Sequence, residues 1–365
     1  MTALTGTDKP PSKRALHLLA DYAELRCAAS ESGAFSAEEF QDARKRADQD
    51  AEEDQDDPTI TDLFLEDEDV EGEELDEVTV DMAFGDADET ASPLRVAPAD
   101  ADDERVAGVA AADDARELES ADVIQHLEYR IATFGEAYPF RLRDDAVLEL
   151  LEDLTPERQL YLFLLIASNL KYVRSGQRKQ ELTTFFEVLG VDVLRGYLGE
   201  HARVELFGTS STAVEAPRFS GSLWEKLQAL GLELRGRVVP TSEHQVVNAG
   251  DFGIDLVAWF AFDDDLEGRF VTILGQCACG RSWPPKMREP TAEALVETIT
   301  FTAPVVNVLL VPYCWRTAEG AWYSLRGVPS GVLLDRQRIV QAIATAGAGL
   351  PVGAFPGDVV RATAA

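Results

Sequence analysis

The chain has no run of about 18 apolar residues, so no membrane-spanning helix is expected. Residues 1–14 are polar and contain Pro10 and Pro11, where a secretory leader would place a basic stub and an apolar core. Cysteine is scarce. Cys27, Cys277, Cys279 and Cys314 are too few and too scattered for a disulfide framework, and none forms the CxxC pair of a zinc ribbon. A cytoplasmic protein with reduced thiols and no membrane contact is the expectation. Histidine is limited to His17, His126, His201 and His244, without HxH or HExxH spacing, so each is a surface or capping residue before it is a ligand. A P-loop, a GxSxG elbow and a GxGxxG fingerprint are all missing, which moves nucleotide hydrolysis and serine acyl transfer well down the list.

Basic residues are nearly absent from one stretch. Between residues 48 and 104 about 25 acidic side chains face the single base Arg95, and this segment accounts for most of the formal charge of −33. Rich in Ala and poor in aromatics, it cannot bury enough apolar area to offset the entropy of ordering, so residues 48–118 are expected to be a disordered linker. Its apolar islands at 60–65 and 78–84 are candidates for docking. Three roles are open for the acid: mimicking DNA on the protein's own basic surface, binding a basic partner, or solubility.

What surrounds the linker has periodicity. Leu16, Leu19, Tyr22 and Leu25 fall on helical turns, and Ser36 caps a second helix, giving a small helical segment over 1–47. Residues 119–216 read as an α-helical domain. Stripes run through Val123, Leu127 and Ile131 and through 146–151, and 160–170 is apolar nearly all round after the start signal Thr155-Pro156. Within it, residues 171–179 carry Lys171, Arg174, Arg178 and Lys179 around Tyr172. This is either a surface that tracks a phosphate backbone, with Tyr172 stacking on a base, or a solvated charge run.

Beyond 217 the pattern changes to helix (221–234), strand (253–262), strand (269–279), helix (291–300) and strand (305–314), an α/β layer over 217–350. A strand at 322–325 and a strand end leading into a closing helix at 333–340 complete it, and 351–365 is a tail. Arg336 and Arg338 either face nucleic acid or pair with local acids.

Two short motifs carry chemistry. Gly250-Asp251-Phe252-Gly253-Ile254-Asp255 opens an apolar strand, and Gln276-Cys277-Ala278 ends the next one. Alternation puts Gln276 and Ala278 on one face and Cys277 and Cys279 on the other. The cysteines are then small apolar fillers, or else a thiolate pair with Cys314. The combination resembles the PD-(D/E)XK nuclease superfamily, in particular the Mrr-type restriction endonucleases and related defence nucleases, over about a third of the chain. There a GD-x-G-x-D turn precedes a strand ending in Q-x-K.

The resemblance implies a restriction-endonuclease-like core of helix, mixed sheet and helix. It implies Asp255 and Gln276 as ligands of Mg²⁺ or Mn²⁺ and DNA as substrate, RNA being the alternative. Ala278 stands where the family places its catalytic lysine, and Lys286 is the nearest candidate to take over, unless it is a solvated loop lysine. Arg281 is a second cation within reach and a candidate nucleic-acid contact. Glu225 is the best match for an acid from the first helix, the alternative being a surface glutamate paired with Lys226 or Arg235. Asp251 is a turn former or a second carboxylate. The function implied is a metal-dependent DNA endonuclease in bacterial restriction or antiphage defence, with protein partners and a homodimer as further expectations. Ala278 keeps open a catalytically inactive nucleic-acid-binding or scaffold subunit on the same fold.

Overall fold

The structure is a computed structural model that describes residues 10, 15–53, 101–144, 147–208, 216–239, 252–260, 269–280, 283–289, 295, 298–324, 328 and 330–346, with the backbone alone for 49–53 and 101–111. The expectations for the apolar islands, Asp251, Arg281 and His244 lie outside the described residues. It is a mixed α/β fold.

The first helix, α1 (Leu16–Ala29), is buried nearly all round. Strand β1 (Ala34–Ser36) follows and leads into α2 (Ala37–Glu53), where Ser36 Oγ accepts from the Glu39 N–H and the Glu39 carboxylate accepts from the Ser36 N–H, closing a capping box. Helix α3 (Ala101–Phe134) covers residues 101–118, which composition assigned to the linker. Alanine favours helix, and this half of α3 is held to α2 by Arg44 on Glu119 and Arg116 on Asp48. Residues 147–150 are also not helical. They form β3 (Val147–Leu150), the centre of a three-stranded sheet between β1 and β2 (Phe140–Arg143). β1 lies more than 100 residues away in sequence, so no local pattern announces the pairing.

Helix α4 (Pro156–Ala167) starts as its sequence requires, with Thr155 Oγ1 accepting from the Arg158 N–H, and 160–167 are all buried. Helix α5 (Gly176–Leu198) and strand β4 (Arg203–Leu206) follow. The strand belongs to the main sheet, so the sheet begins before residue 217 and the helical region is not a separate layer.

That sheet has the order β10-β9-β7-β6-β4. Strand β6 (Leu256–Trp259) runs antiparallel to both β4 and β7 (Thr272–Cys277), while β7, β9 (Val305–Leu310) and β10 (Val332–Leu334) are mutually parallel. Leu256, Ala258, Ile273 and Leu310 face the core shared with α5 and the last helix, α8 (Arg336–Ala346). Val257, Trp259 and Leu274 face α6 (Leu223–Glu233), and Leu309 and Val311 share a cluster with Trp283 of the short α7 (Trp283–Lys286). Helices thus cover both faces, which is why β6 and β7 are nearly continuous apolar runs. On the first face, a Cβ on Gly190 would come within 2.7 Å of Leu256, so glycine is what lets α5 lie this close.

Two expected elements differ. The end of the helix expected over 291–300 is a two-residue strand, β8 (Ile299–Thr300), paired with β5 (Arg237–Val238). Of the strand expected at 322–325, the described residues show only an isolated bridge between Arg316 and Trp322. No helix among the described residues is long and apolar enough to cross a membrane.

A buried ionic network ties the first helix to the last. Asp21 Oδ1 accepts from Arg130 at 2.7 Å and from Arg336 at 3.0 Å, and Asp21 Oδ2 accepts from Arg336 and Ser168. Glu24 takes Arg130 at 2.8 Å together with the hydroxyls of Tyr138 and Tyr161. Two acids and two arginines, each at most 1% exposed, cancel one another's charge. Burial raises the Asp21 carboxyl, but Arg336 and Arg130 outweigh it and hold the group at about 2.

His126 sits at the rim of this network. Its Nδ1 accepts from Arg130 Nε at 3.2 Å and its Nε2 donates to the Arg316 carbonyl at 2.9 Å, which fixes the neutral tautomer. Burial and the Arg130 charge push its pKa from 6.5 down to about 4. Because the unfolded chain takes the proton first, stability is expected to fall as pH drops from 6.5 toward 4, by about 3 kcal/mol in all. Urea unfolding at pH 7 and pH 5 checks this. A His126→Asn variant should show a flatter dependence over the same window, and an unchanged slope would remove His126 as its source.

Candidate functional site

Asp255 and Gln276 come together at one end of the main sheet. The β6–β7 register pairs Leu256 with Gly275, and the Asp255 N–H continues the ladder to the Gly275 carbonyl at 3.0 Å, setting Asp255 opposite Gln276. The backbone of Asp255 is held on its other edge too, its carbonyl accepting from the N–H groups of Phe207 and Gly208. Its carboxylate Oδ2 accepts from the Cys277 N–H at 2.7 Å. The carboxylate is therefore fixed across the strand ends before any ligand arrives.

Gln276 is only 6% exposed. Its Nε2 donates to Glu289 Oε2 at 2.6 Å, while its Oε1 is buried with no hydrogen-bond partner among the described residues. A buried carbonyl oxygen left in that state costs about 1–3 kcal/mol, so something is expected to occupy its lone pairs. Gly253, at φ +66°, packs against the pair. A Cβ there would lie 2.6 Å from Glu289 Oε2 and 3.0 Å from Gln276 Nε2, so only glycine admits this contact.

These donors suit a hard cation. Carboxylate and amide oxygens are what Mg²⁺ and Mn²⁺ take, with water in the remaining positions. Among the described residues no group of three or more His, Cys, Asp or Glu side chains is placed to hold a metal, so the candidate set mixes an amide with carboxylates. The cysteines are on the other face. A Cβ on Gly190 of α5 would lie 3.2 Å from Cys277 Sγ, and burial raises the thiols of both Cys277 and Cys279, with Glu187 and Asp255 adding to the effect. No family model, curated protein or solved structure matches the chain.

Ala278 is 1% exposed and shares a buried cluster with Trp283 and Met287. Helix α7 is packed over the strand end where a longer side chain at 278 would project. At the end of that helix stands Lys286, half-buried, whose charge reaches the Cys279 thiol and lowers it against the burial effect. Glu225 is engaged with the start of its own helix. It is fully exposed, and Oε2 closes the capping box of α6 by accepting from the N–H and hydroxyl of Ser222, which lowers its pKa. Its neighbour Lys226 is the buried one, donating to the carbonyls of Phe207 and Gly208, whose N–H groups bind Asp255.

The basic run is a 3₁₀ turn at Leu170–Tyr172 and the first turn of α5. Tyr172 is buried in the main core and cannot stack on a base, which corrects the reading of this residue. Its ring lies under Lys171 Nζ at 4.7 Å, Arg178 pairs with Glu181, and Arg174 and Lys179 are exposed. Helix α5 runs antiparallel to β7: Leu194 lies near Gly275, and Gly190 near Cys277. Its basic start therefore projects past the end of the sheet that carries Asp255 and Gln276, by roughly 15 Å at 1.5 Å per residue. Of the two C-terminal arginines, Arg336 is buried on Asp21, whereas Arg338 donates to the Leu333 carbonyl and lies over the Trp322 ring.

Sequence reasoning missed Glu289. Nothing in Met287-Arg288-Glu289 distinguishes it from any exposed loop acid. The one signal available was Gly253, whose missing side chain makes room for a neighbour that only the fold identifies.

Proposed function

We propose that the protein is a metal-dependent DNA endonuclease with a PD-(D/E)XK-type core, acting in restriction or antiphage defence. The observation that carries this reading is the cross-strand pair of Asp255 and Gln276 at one end of the sheet, with the buried Gln276 Oε1 lacking a partner among the described residues. The helix, mixed sheet, helix layering supports it, as does the order β6, β7, α7, β9. The basic start of α5 supports it further by offering positive charge at the same end of the sheet.

A divalent cation supplies Lewis acidity toward the phosphate and toward the attacking water. Asp255 and Gln276 would hold it through oxygen, and the Cys277 N–H keeps the Asp255 carboxylate in place so that no reorganisation is required. Water oxygen bonds to phosphorus as one bridging P–O bond breaks, and the proton released ends on the leaving oxygen. Lys286 would supply positive charge to the phosphate in place of a lysine at 278. Ala278 leaves room for α7, and α7 carries Lys286.

Ala278 also favours a second reading, a non-catalytic nucleic-acid-binding subunit. Nicking of supercoiled plasmid by the full chain, with Mg²⁺, Mn²⁺ or EDTA, separates the two. Metal-dependent cutting is expected, and Lys286→Ala should lower the rate by about 100-fold. An unchanged rate in that variant removes Lys286 from the mechanism. Absence of cutting on both DNA and RNA overturns the enzyme, and retained DNA binding would then identify the subunit.

A further inference from the structure

Position 276 holds an amide where a second carboxylate would bind a cation more strongly. The neighbour explains it. An ionised carboxylate can only accept hydrogen bonds, so the group that meets Glu289 Oε2 at 2.6 Å has to be a donor. Gln276 has one end of each kind. With Nε2 turned to Glu289, Oε1 is the other end, and it is this end that is buried without a partner among the described residues. A glutamate at 276 would bring two carboxylates together at the same place, beside Gly253 and near the fixed carboxylate of Asp255.

We propose that Glu289 is a positioning residue: it locks the Gln276 amide with its oxygen presented to the cation, and residues 276 and 289 divide one negative charge between them. The inference rests on the cation reading of the Asp255–Gln276 pair and adds an outer partner to it. Ligands of metal ions are commonly oriented by such partners, whose loss weakens affinity by about 10–100-fold. The exposure of Glu289 fits the assignment. It reaches the buried amide from the solvent side, and its loop follows directly from α7, so the charge that orients Gln276 and the amine of Lys286 are carried by the same short element.

The charge can be exchanged between the two positions, and that makes the test. Mn²⁺ alone is titrated into the full chain and followed by the paramagnetic resonance signal of the free ion. The component that disappears in Asp255→Ala is the one read, which separates it from any weak binding by the other acidic residues. Glu289→Ala is expected to weaken that component by about 10–100-fold. Gln276→Glu is expected to weaken it as well, despite adding a ligand carboxylate. The double variant Gln276→Glu/Glu289→Gln, which moves the charge inward and the amide outward, should return affinity to within about threefold of wild type. A double variant as weak as the product of its parents, or a Gln276→Glu protein that binds Mn²⁺ more tightly than wild type, overturns the proposal. A wild-type protein with no Asp255-dependent component overturns the cation reading itself, an outcome distinct from either.

Discussion

Asp255→Ala is expected to lower metal-dependent DNA cleavage by about a thousandfold or more while leaving the protein folded. The first half follows from what the carboxylate would do. It faces Gln276 across the strand pair, and a bound cation would contribute several kcal/mol of charge stabilisation, each 1.4 kcal/mol being a factor of ten in rate. The second half follows from what it does structurally. Its carboxylate accepts from the Cys277 N–H, and losing such a bond costs about 1 kcal/mol. Asp255→Asn keeps an oxygen for that N–H and removes the charge, so it should cut as poorly as alanine and melt closer to wild type. DNA binding measured in EDTA should be equal in all three proteins. Cleavage that survives both substitutions would mean the chemistry is elsewhere or belongs to a contaminant.

Arg336→Met is expected to cost about 3–5 kcal/mol of stability, measured by urea unfolding, although the residue is far from the proposed chemistry in role. Its guanidinium bridges both oxygens of Asp21, and Nε donates to the Pro312 carbonyl, with the Arg336 and Asp21 side chains both buried. Methionine fills the space and leaves Asp21 and Glu24 sharing Arg130 alone, a net buried negative charge. Lysine restores charge but not the fork that spans the carboxylate, so Arg336→Lys should recover only part of the loss. Two residues along the same helix, Arg338→Met should cost about 1 kcal/mol, since that side chain gives up a single carbonyl contact and its place over Trp322. Equal losses at the two positions would show that the network is not the source.

Arg336 and Arg338 illustrate how far local pattern reaches. Both were legible as cations at the start of a closing helix, and nothing local separates them; the acidic partners of one lie in α1, more than 300 residues earlier. The same limit applies to α1. Its apolar spacing marked one face correctly, but Asp21 and Glu24 are as buried as the leucines, because their countercharges arrive from α3 and α8. Signals written within a few residues were reliable: Thr155-Pro156 starts α4, Ser36 starts α2, and alternation places Gln276 and Cys277 on opposite faces. Signals that need a distant partner were not. The pattern at 146–151 fits a helix until β1 pairs with it, and β4 has no mark of a sheet strand until β6 lies beside it. At the site, Asp255 and Gln276 were legible through their flanking glycines and strand ends, while Glu289 became visible only through the amide it touches.

The union of α1 with α8 also has a consequence in time. A ribosome adds roughly 5–20 residues per second, so Asp21 leaves the tunnel about 15–60 s before Arg336 is made. Until Arg130 follows, the two acids of α1 have none of their eventual countercharge, and from then until Arg336 is made they have half. Arg336, made later than every other charged member of the network, completes the countercharge of the first helix.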